Sequence, residues 1–265
     1  MRPERERHRA VRLARTVALV AHLVVVWLAA VTLVPRLGAD TRAVWLARFA
    51  RQTLGILGVR LVRRGARGPV DGPVLVVANH VSWLDVYALQ AWRGGRSVAK
   101  REVCDWPVAG AIVRGFGTFF IVRGCCRDAA RVKDTVAAAL RAGERVVVFP
   151  EGTTTDGAAV GRFYAALLQA AVDAGVPVQP VALRYLASDG ARDPAAAFVG
   201  DMSFVDSLRQ VLGRRALAAE LTWGPLLQPA GETRRTLAAT SHRFIATALC
   251  DVPDLPRPIR LPQAA

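Results

Sequence analysis

The chain reads as an α/β protein: a mixed, largely parallel sheet flanked by helices, with a membrane-associated helical segment at its amino end. Three observations predict this. Short β-branched runs at residues 74–78, 97–99, 118–122, 146–149, 178–183 and 216–223 have the length and composition of strands. Helical patterns separate them, and strands alternating with helices build parallel sheets through right-handed crossovers. Finally, the chain opens with arginines and then turns apolar.

That opening carries Arg2, Arg5, Arg7, Arg9, Arg12 and Arg15, after which residues 16–34 are apolar except for His22 and Thr32 in the interior. Such a run is long enough to cross a hydrocarbon core of about 30 Å as a helix. The flanking arginines predict that this end stays cytoplasmic. No A-x-A-like cleavage site follows Val34, which argues against a secretory signal. A single span would carry the rest of the chain out of the cytoplasm. The preferred expectation is therefore a non-spanning hairpin, with residues 35–40 as the bend and residues 45–62 as a second, interfacial amphipathic helix bearing Arg48, Arg51 and Arg60.

Further along, residues 128–142 place Val132, Val136, Ala139 and Leu140 on one helical face and stop at Gly143. Residues 160–174 predict another helix, ended by Gly175 and Pro177. The last stretch, residues 251–265, is rich in proline and reads as a surface strap or tail. The domain expectation is thus an anchoring segment over 1–58, a globular body over 59–250 and a tail over 251–265.

Composition narrows the function. The formal charge of +15 comes from 36 Lys+Arg against 21 Asp+Glu, and only Lys100 and Lys133 are lysines. A basic surface serves nucleic acid or anionic lipid, and charge alone does not choose. Dispersed arginines, 7% aromatic residues and the lack of a recognised motif argue against nucleic acid, and the apolar start favours lipid. The four cysteines, Cys104, Cys125, Cys126 and Cys250, fit no CxxC site and read as reduced cytosolic thiols. None of His8, His22, His80 and His242 has partners at metal-ligand spacing, so no metal is expected.

Two constellations carry chemistry. Residues 79–85, Asn-His-Val-Ser-Trp-Leu-Asp, directly follow the apolar strand 74–78, which puts an imidazole where open α/β sheets place their ligands. Positions five apart do not meet along one helix. His80 and Asp85 can meet only if His80 sits in a turn and Asp85 in the first turn of the following helix, with Ser82 as its N-cap. The bland reading is a capped helix beside a satisfied turn histidine. The chemical reading is a dyad in which Asp85 fixes the tautomer of His80, which then takes a proton from a hydroxyl. No G-x-S-x-G elbow supplies a nucleophile, so the hydroxyl belongs to a substrate. The second constellation, residues 149–153, Phe-Pro-Glu-Gly-Thr, ends the strand at 146–149, where a turn with a solvated Glu151 is the alternative.

Together these two blocks resemble the glycerolipid acyltransferase family, best known for its 1-acylglycerol-3-phosphate acyltransferases. Residues 117–123, Gly-Thr-Phe-Phe-Ile-Val-Arg, resemble its second motif and residues 176–181, Val-Pro-Val-Gln-Pro-Val, its fourth, with Lys100 at a basic position between the first two. The likeness covers roughly residues 60–225. It implies that His80 is the general base and Asp85 its orienting partner. It implies that Lys100 and Arg123 hold the acceptor's phosphate, a task to which a planar guanidinium and a compact ammonium are suited. Glu151, Gly152 and Thr153 would position the acceptor's glycerol, and Pro180 would help line the site. The implied reaction moves a fatty acyl group from acyl-CoA or acyl carrier protein to the sn-2 hydroxyl of 1-acylglycerol 3-phosphate, without metal or bound cofactor, at the cytoplasmic face of the cell membrane.

One departure bears on the acceptor. Many family members that use lysophosphatidate carry a basic residue just after the Phe-Pro-Glu-Gly-Thr block, whereas this chain continues Thr154-Thr155-Asp156. Lyso-ornithine lipid, or another lysolipid, is the alternative acceptor. A membrane-remodelling protein without activity is a further alternative, disfavoured because both dyad residues are present.

Overall fold

The computed structural model describes residues 2–250 other than 66, 94 and 123; for residues 2–8 and 93 it describes the backbone alone. The expected site residue Arg123 and the expected tail at 251–265 lie outside the described residues.

Among the described residues seven strands form one sheet: β1 (Val59–Arg64), β2 (Val74–Ala78), β3 (Arg96–Lys100), β4 (Phe119–Ile121), β5 (Arg145–Val148), β6 (Val178–Leu186) and β7 (Leu217–Trp223). Their order across the sheet is β1-β7-β6-β2-β5-β3-β4. Every neighbouring pair is parallel except β6 and β7, so the expected mixed, largely parallel sheet is the one observed. Central strands of such a sheet are covered on both faces, and every residue of β2 is buried. The pleat divides them: Val74, Val76 and Ala78 enter one core cluster, Leu75 and Val77 the other.

The first cluster is roofed by α2 (Ala39–Leu57), α3 (Leu84–Arg93) and α7 (Phe204–Gly213); the second by α5 (Cys126–Arg141), α6 (Gln169–Ala174) and α8 (Arg234–Cys250). Outside α2 lies α1 (Arg2–Thr32), a helix of 31 residues, about 46 Å long at 1.5 Å per residue. Pro35 and Gly38 stand in the bend between them, which contains the short turn Val34–Arg36. A hairpin is therefore present, and His22 joins its two arms through a 3.0 Å hydrogen bond with the Thr53 hydroxyl. Leu19, Leu23, Val26 and Ala30 face inward on α1, while Val17, Val20, Val24, Leu28 and Val31 stay exposed. This stretch is the one helix among the described residues long and apolar enough to cross a membrane. Close packing seats its far end: a Cβ on Gly115, in α4 (Ala109–Gly115), would lie 2.3 Å from the Ala30 carbonyl oxygen.

Two expectations fail. Residues 45–62 are not one helix, because Gly58, at φ 76°, closes α2 in the left-handed region and the chain then pairs with β7 as β1, Val59 opposite Leu217. β1 is an edge strand, so it tolerates the exposed Arg63 and the exposed Arg60, which with Arg48 and Arg51 suggested an amphipathic helix. Nor does a helix begin at residue 160. Residues 160–164 are irregular, a single 3₁₀ turn covers Ala165–Leu168, and α6 begins only at Gln169. The site supplies the reason.

Candidate active site

β2 ends at Ala78 and α3 starts at Leu84, leaving a five-residue turn at the carboxyl edge of the sheet. Asn79 anchors its first residue. Buried beside β6, its amide donates to the Leu183 carbonyl (2.9 Å) and its oxygen accepts the Leu183 N–H (2.8 Å), which closes the gap where β6 runs on past β2. His80 then sits in the turn and Asp85 in the first turn of α3, the arrangement required for them to meet. Their contact is 2.8 Å, His80 Nδ1 to Asp85 Oδ2. Ser82 supports the helix start, its hydroxyl accepting the Leu84 N–H at 3.3 Å.

Asp85 is wholly buried, and it is surrounded by donors. Oδ2 accepts from His80 Nδ1, from Val81 N (2.6 Å) and from Ser82 N (2.9 Å), while Oδ1 accepts from the Tyr185 hydroxyl at 2.7 Å. A carboxylate can only accept, so Nδ1 carries the proton and Nε2 presents its lone pair. The ring lies flat on Phe149, with centroids 4.1 Å apart and planes 16° apart, and its side chain is 16% exposed. Burial and the charge of Asp85 both push the Tyr185 phenol well above its ordinary range, so it remains a donor at any physiological pH.

A second buried carboxylate holds the same turn from the β5 side. Glu151 Oε1 accepts the His80 backbone N–H at 2.7 Å, and Oε2 accepts the Gly161 N–H at 2.8 Å. Burial raises its pKa, against the two amides, which lower it. Residues 160–164 are thereby pinned to the turn after β5, at Gly161 by Glu151 and at Tyr164, whose N–H donates to the Pro150 carbonyl at 2.8 Å. A helix starting at 160 would turn the Tyr164 N–H to the carbonyl of residue 160 and give up its bond to Pro150, which is why the expected one starts late. Gly161 has no room for a side chain, since a Cβ would stand 2.7 Å from Glu151 Oε2. Thr155 completes the enclosure, its N–H donating to the His80 carbonyl at 2.8 Å.

The remaining expected residues divide. Gly152, at φ 69°, makes the turn that only glycine adopts readily, and Thr153 is exposed beside it. Lys100 ends β3 at the same edge of the sheet and is exposed. Pro180 is placed elsewhere: it is buried within β6 opposite Val77, with Gly224 and Phe244 around it. Strand pairing puts it below the end of β2, in the sheet and not in the turn that holds His80. A cavity of about 60 Å³ also opens away from His80, between α2 and the starts of β3 and β5, where Arg42 and Arg96 pair with Glu144.

Sequence reasoning missed Tyr185 and Gly161. Nothing local marks the tyrosine, which stands a hundred positions from its partner. The Phe-Pro-Glu-Gly block did flag Glu151, but its carboxylate oxygens go to backbone amides and not to an open cleft.

Residues 59–184 match the family model described as Acyltransferase. Over 177 residues the chain is 36% identical to the lyso-ornithine lipid O-acyltransferase of Pseudomonas aeruginosa, covering 67% of this chain and 68% of that one. It is 34% identical over 183 residues to the 1-acyl-sn-glycerol-3-phosphate acyltransferase of Neisseria gonorrhoeae, covering 69% and 71%. A second lyso-ornithine lipid O-acyltransferase, from Rhodobacter capsulatus, is 35% identical over 205 residues, 75% of this chain and 73% of that one. The fold is similar to the crystal structure of the 1-acyl-sn-glycerophosphate acyltransferase from Thermotoga maritima, at a TM-score of 0.66 and 19% identity over 94% of this chain and 99% of that one.

Proposed function

The chain belongs to the acyltransferase family, and from that premise we propose that it esterifies a lysolipid hydroxyl with a fatty acyl group, using His80 as general base and Asp85 as its orienting partner. The observation that carries this is the 2.8 Å bond from His80 Nδ1 to a wholly buried carboxylate, at the carboxyl edge of the sheet. It leaves Nε2 as a base with a fixed direction.

In the reaction the lysolipid hydroxyl gives its proton to Nε2 as its oxygen attacks the thioester carbonyl. The C–S bond then breaks, the thiolate leaves, and the imidazolium returns the proton to sulfur. Ester and free thiol are the products, and the base is regenerated. Acyl-CoA or acyl carrier protein supplies the thioester, and no residue needs to be acylated. The acceptor of the first reading is 1-acylglycerol 3-phosphate, acylated at its sn-2 hydroxyl to give phosphatidate, with Lys100 and Arg123 toward its phosphate. Gly152 and Thr153 border the acceptor, while Glu151 works through the turn it holds.

A second acceptor, lyso-ornithine lipid, is favoured by one observation. After Thr153 the chain offers Thr154, Thr155 and the exposed Asp156, whose carboxylate stands 4.0 Å from Arg192, where a cation would suit a dianionic phosphate. Two relatives in that class point the same way.

The hairpin over residues 1–58 serves as the anchor, its exposed apolar stripe lying in the bilayer surface at the cytoplasmic face, with residues 59–250 as the acyltransferase domain. Protease accessibility of both ends in sealed vesicles tests that orientation. For the chemistry, purified protein in micelles is offered lysophosphatidate and lyso-ornithine lipid side by side with each thioester, and the products are weighed by mass spectrometry. His80→Ala should lower turnover by roughly 10³-fold or more while the protein stays folded and membrane-bound. Retained turnover removes His80 from the mechanism.

A further inference from the structure

The dyad continues one residue deeper than the reaction requires. Asp85 Oδ2 is saturated by three N–H donors, whereas Oδ1, equally buried, has the Tyr185 hydroxyl as its donor among the described residues. Tyr185 stands near the end of β6, 2% exposed, with its ring in the core among Leu183, Leu84 and Ala88. It reaches the carboxylate from β6 and bonds the oxygen that His80 does not. We propose that Tyr185 is a positioning residue of the acyl transfer: its phenol holds Asp85 so that Oδ2 faces the imidazole, and it sets how strongly that carboxylate retains the imidazolium.

The physical argument has two parts. A hydroxyl donating to a carboxylate is among the stronger hydrogen bonds in a protein, and in a buried site nothing replaces it. It fixes the carboxylate's rotation, since three donors converging on one oxygen leave the other free to swing. It also spreads the carboxylate's charge over a fourth donor, which makes the carboxylate a weaker base. Without the phenol, Asp85 would hold the protonated ring more tightly, and His80 would surrender its proton to the departing thiolate less readily. The titratable groups facing Asp85 are His80 in the preceding turn, Tyr185 from β6 and Glu151 from the turn after β5. Glu151 contributes like charge, so the phenol is the neutral donor that offsets it.

This inference rests on the reading of His80 as base, and its test separates the two. Full-length Tyr185→Phe keeps the ring and removes the donor. Its kcat should fall roughly tenfold, the size expected for one hydrogen bond to a charged group. The acidic limb of kcat/KM against pH should move to higher pH, and KM for lipid and thioester should stay as in the wild type. A residue that only fills the core would leave the limb in place. In an Asp85→Ala background the same change should cost less than about twofold, because the hydroxyl's acceptor is already gone. Should Tyr185→Phe fold poorly, 3-fluorotyrosine introduced at position 185 alone keeps the ring and strengthens the donor, and it should move the limb to lower pH. Wild-type turnover with an unmoved limb in either protein overturns the proposal, as do multiplicative losses in the double variant. If His80→Ala is inactive while these results are null, only the role of Tyr185 falls; if His80→Ala is active, the base itself falls.

Discussion

Two buried carboxylates grip the His80 turn from opposite sides, and they do so with different partners. Asp85 bonds the imidazole, a phenol and two amides, so that a side chain on each of two other elements depends on it. Among the described residues Glu151 bonds only backbone, one N–H from the turn after β2 and one from the segment that returns over it. The first therefore governs the chemistry of the ring, while the second governs where the ring's backbone stands. Burial costs both of them water, yet the donors compensate unequally. Among the described residues Asp85 has four and Glu151 two, and burial raises the pKa of Glu151.

The largest expected effect tests the Asp85 side. Asp85→Asn removes the negative charge that holds the imidazolium and turns one of two acceptors into a donor, and kcat should fall by roughly 10³- to 10⁴-fold, as happens in hydrolase triads treated the same way. Steady-state kinetics on protein with an intact circular dichroism spectrum checks it. A loss within tenfold would mean that the carboxylate is structural.

A smaller loss is expected on the other side. Glu151→Gln sets an amide N–H₂ against one of two N–H donors, so the turn should loosen by about 1.5–3 kcal/mol, the cost of a lost hydrogen bond to a charged group. Turnover should drop far less than in Asp85→Asn, and the thermal midpoint should drop with it. If instead kcat collapsed at an unchanged midpoint, Glu151 would be touching substrate, as the family resemblance implies, and the division between the two acids would be broken.

How much of this the sequence disclosed follows from how local each feature is. β2 was readable because a strand covered on both faces must be apolar throughout, and residues 74–78 are. The meeting of His80 and Asp85 was readable because five residues, a strand end and a cap leave few geometries. β1 was not: at a sheet edge its outward residues are free to be arginines, and Arg60 continues the pattern that Arg48 and Arg51 set for an interfacial helix. The late start of α6 was not legible either, since the bonds that pin residues 160–164 come from Glu151 and Pro150, ten and fourteen positions earlier. Tyr185 is the extreme case, in which a buried hydroxyl finds its acceptor only after β6 has paired with β2.

The smallest expected effect concerns pH, and it tests the Glu151 side, where burial pushes the carboxyl upward. A carboxyl whose pKa is higher in the folded protein than in the unfolded chain binds its proton more tightly when folded. Its contribution to stability is complete below the unfolded value of about 4.3 and is lost as pH rises through the folded value. Glu151→Gln cannot titrate, whereas every other group is shared. The thermal midpoint of the wild type minus that of the variant should therefore be largest in acid and shrink as pH is raised from about 4 toward neutrality, then level off. Scanning calorimetry of both proteins across that interval reads the difference directly. A difference that grows with pH would mean that the two backbone amides outweigh burial at Glu151, and its donors would then make up for the water it loses after all.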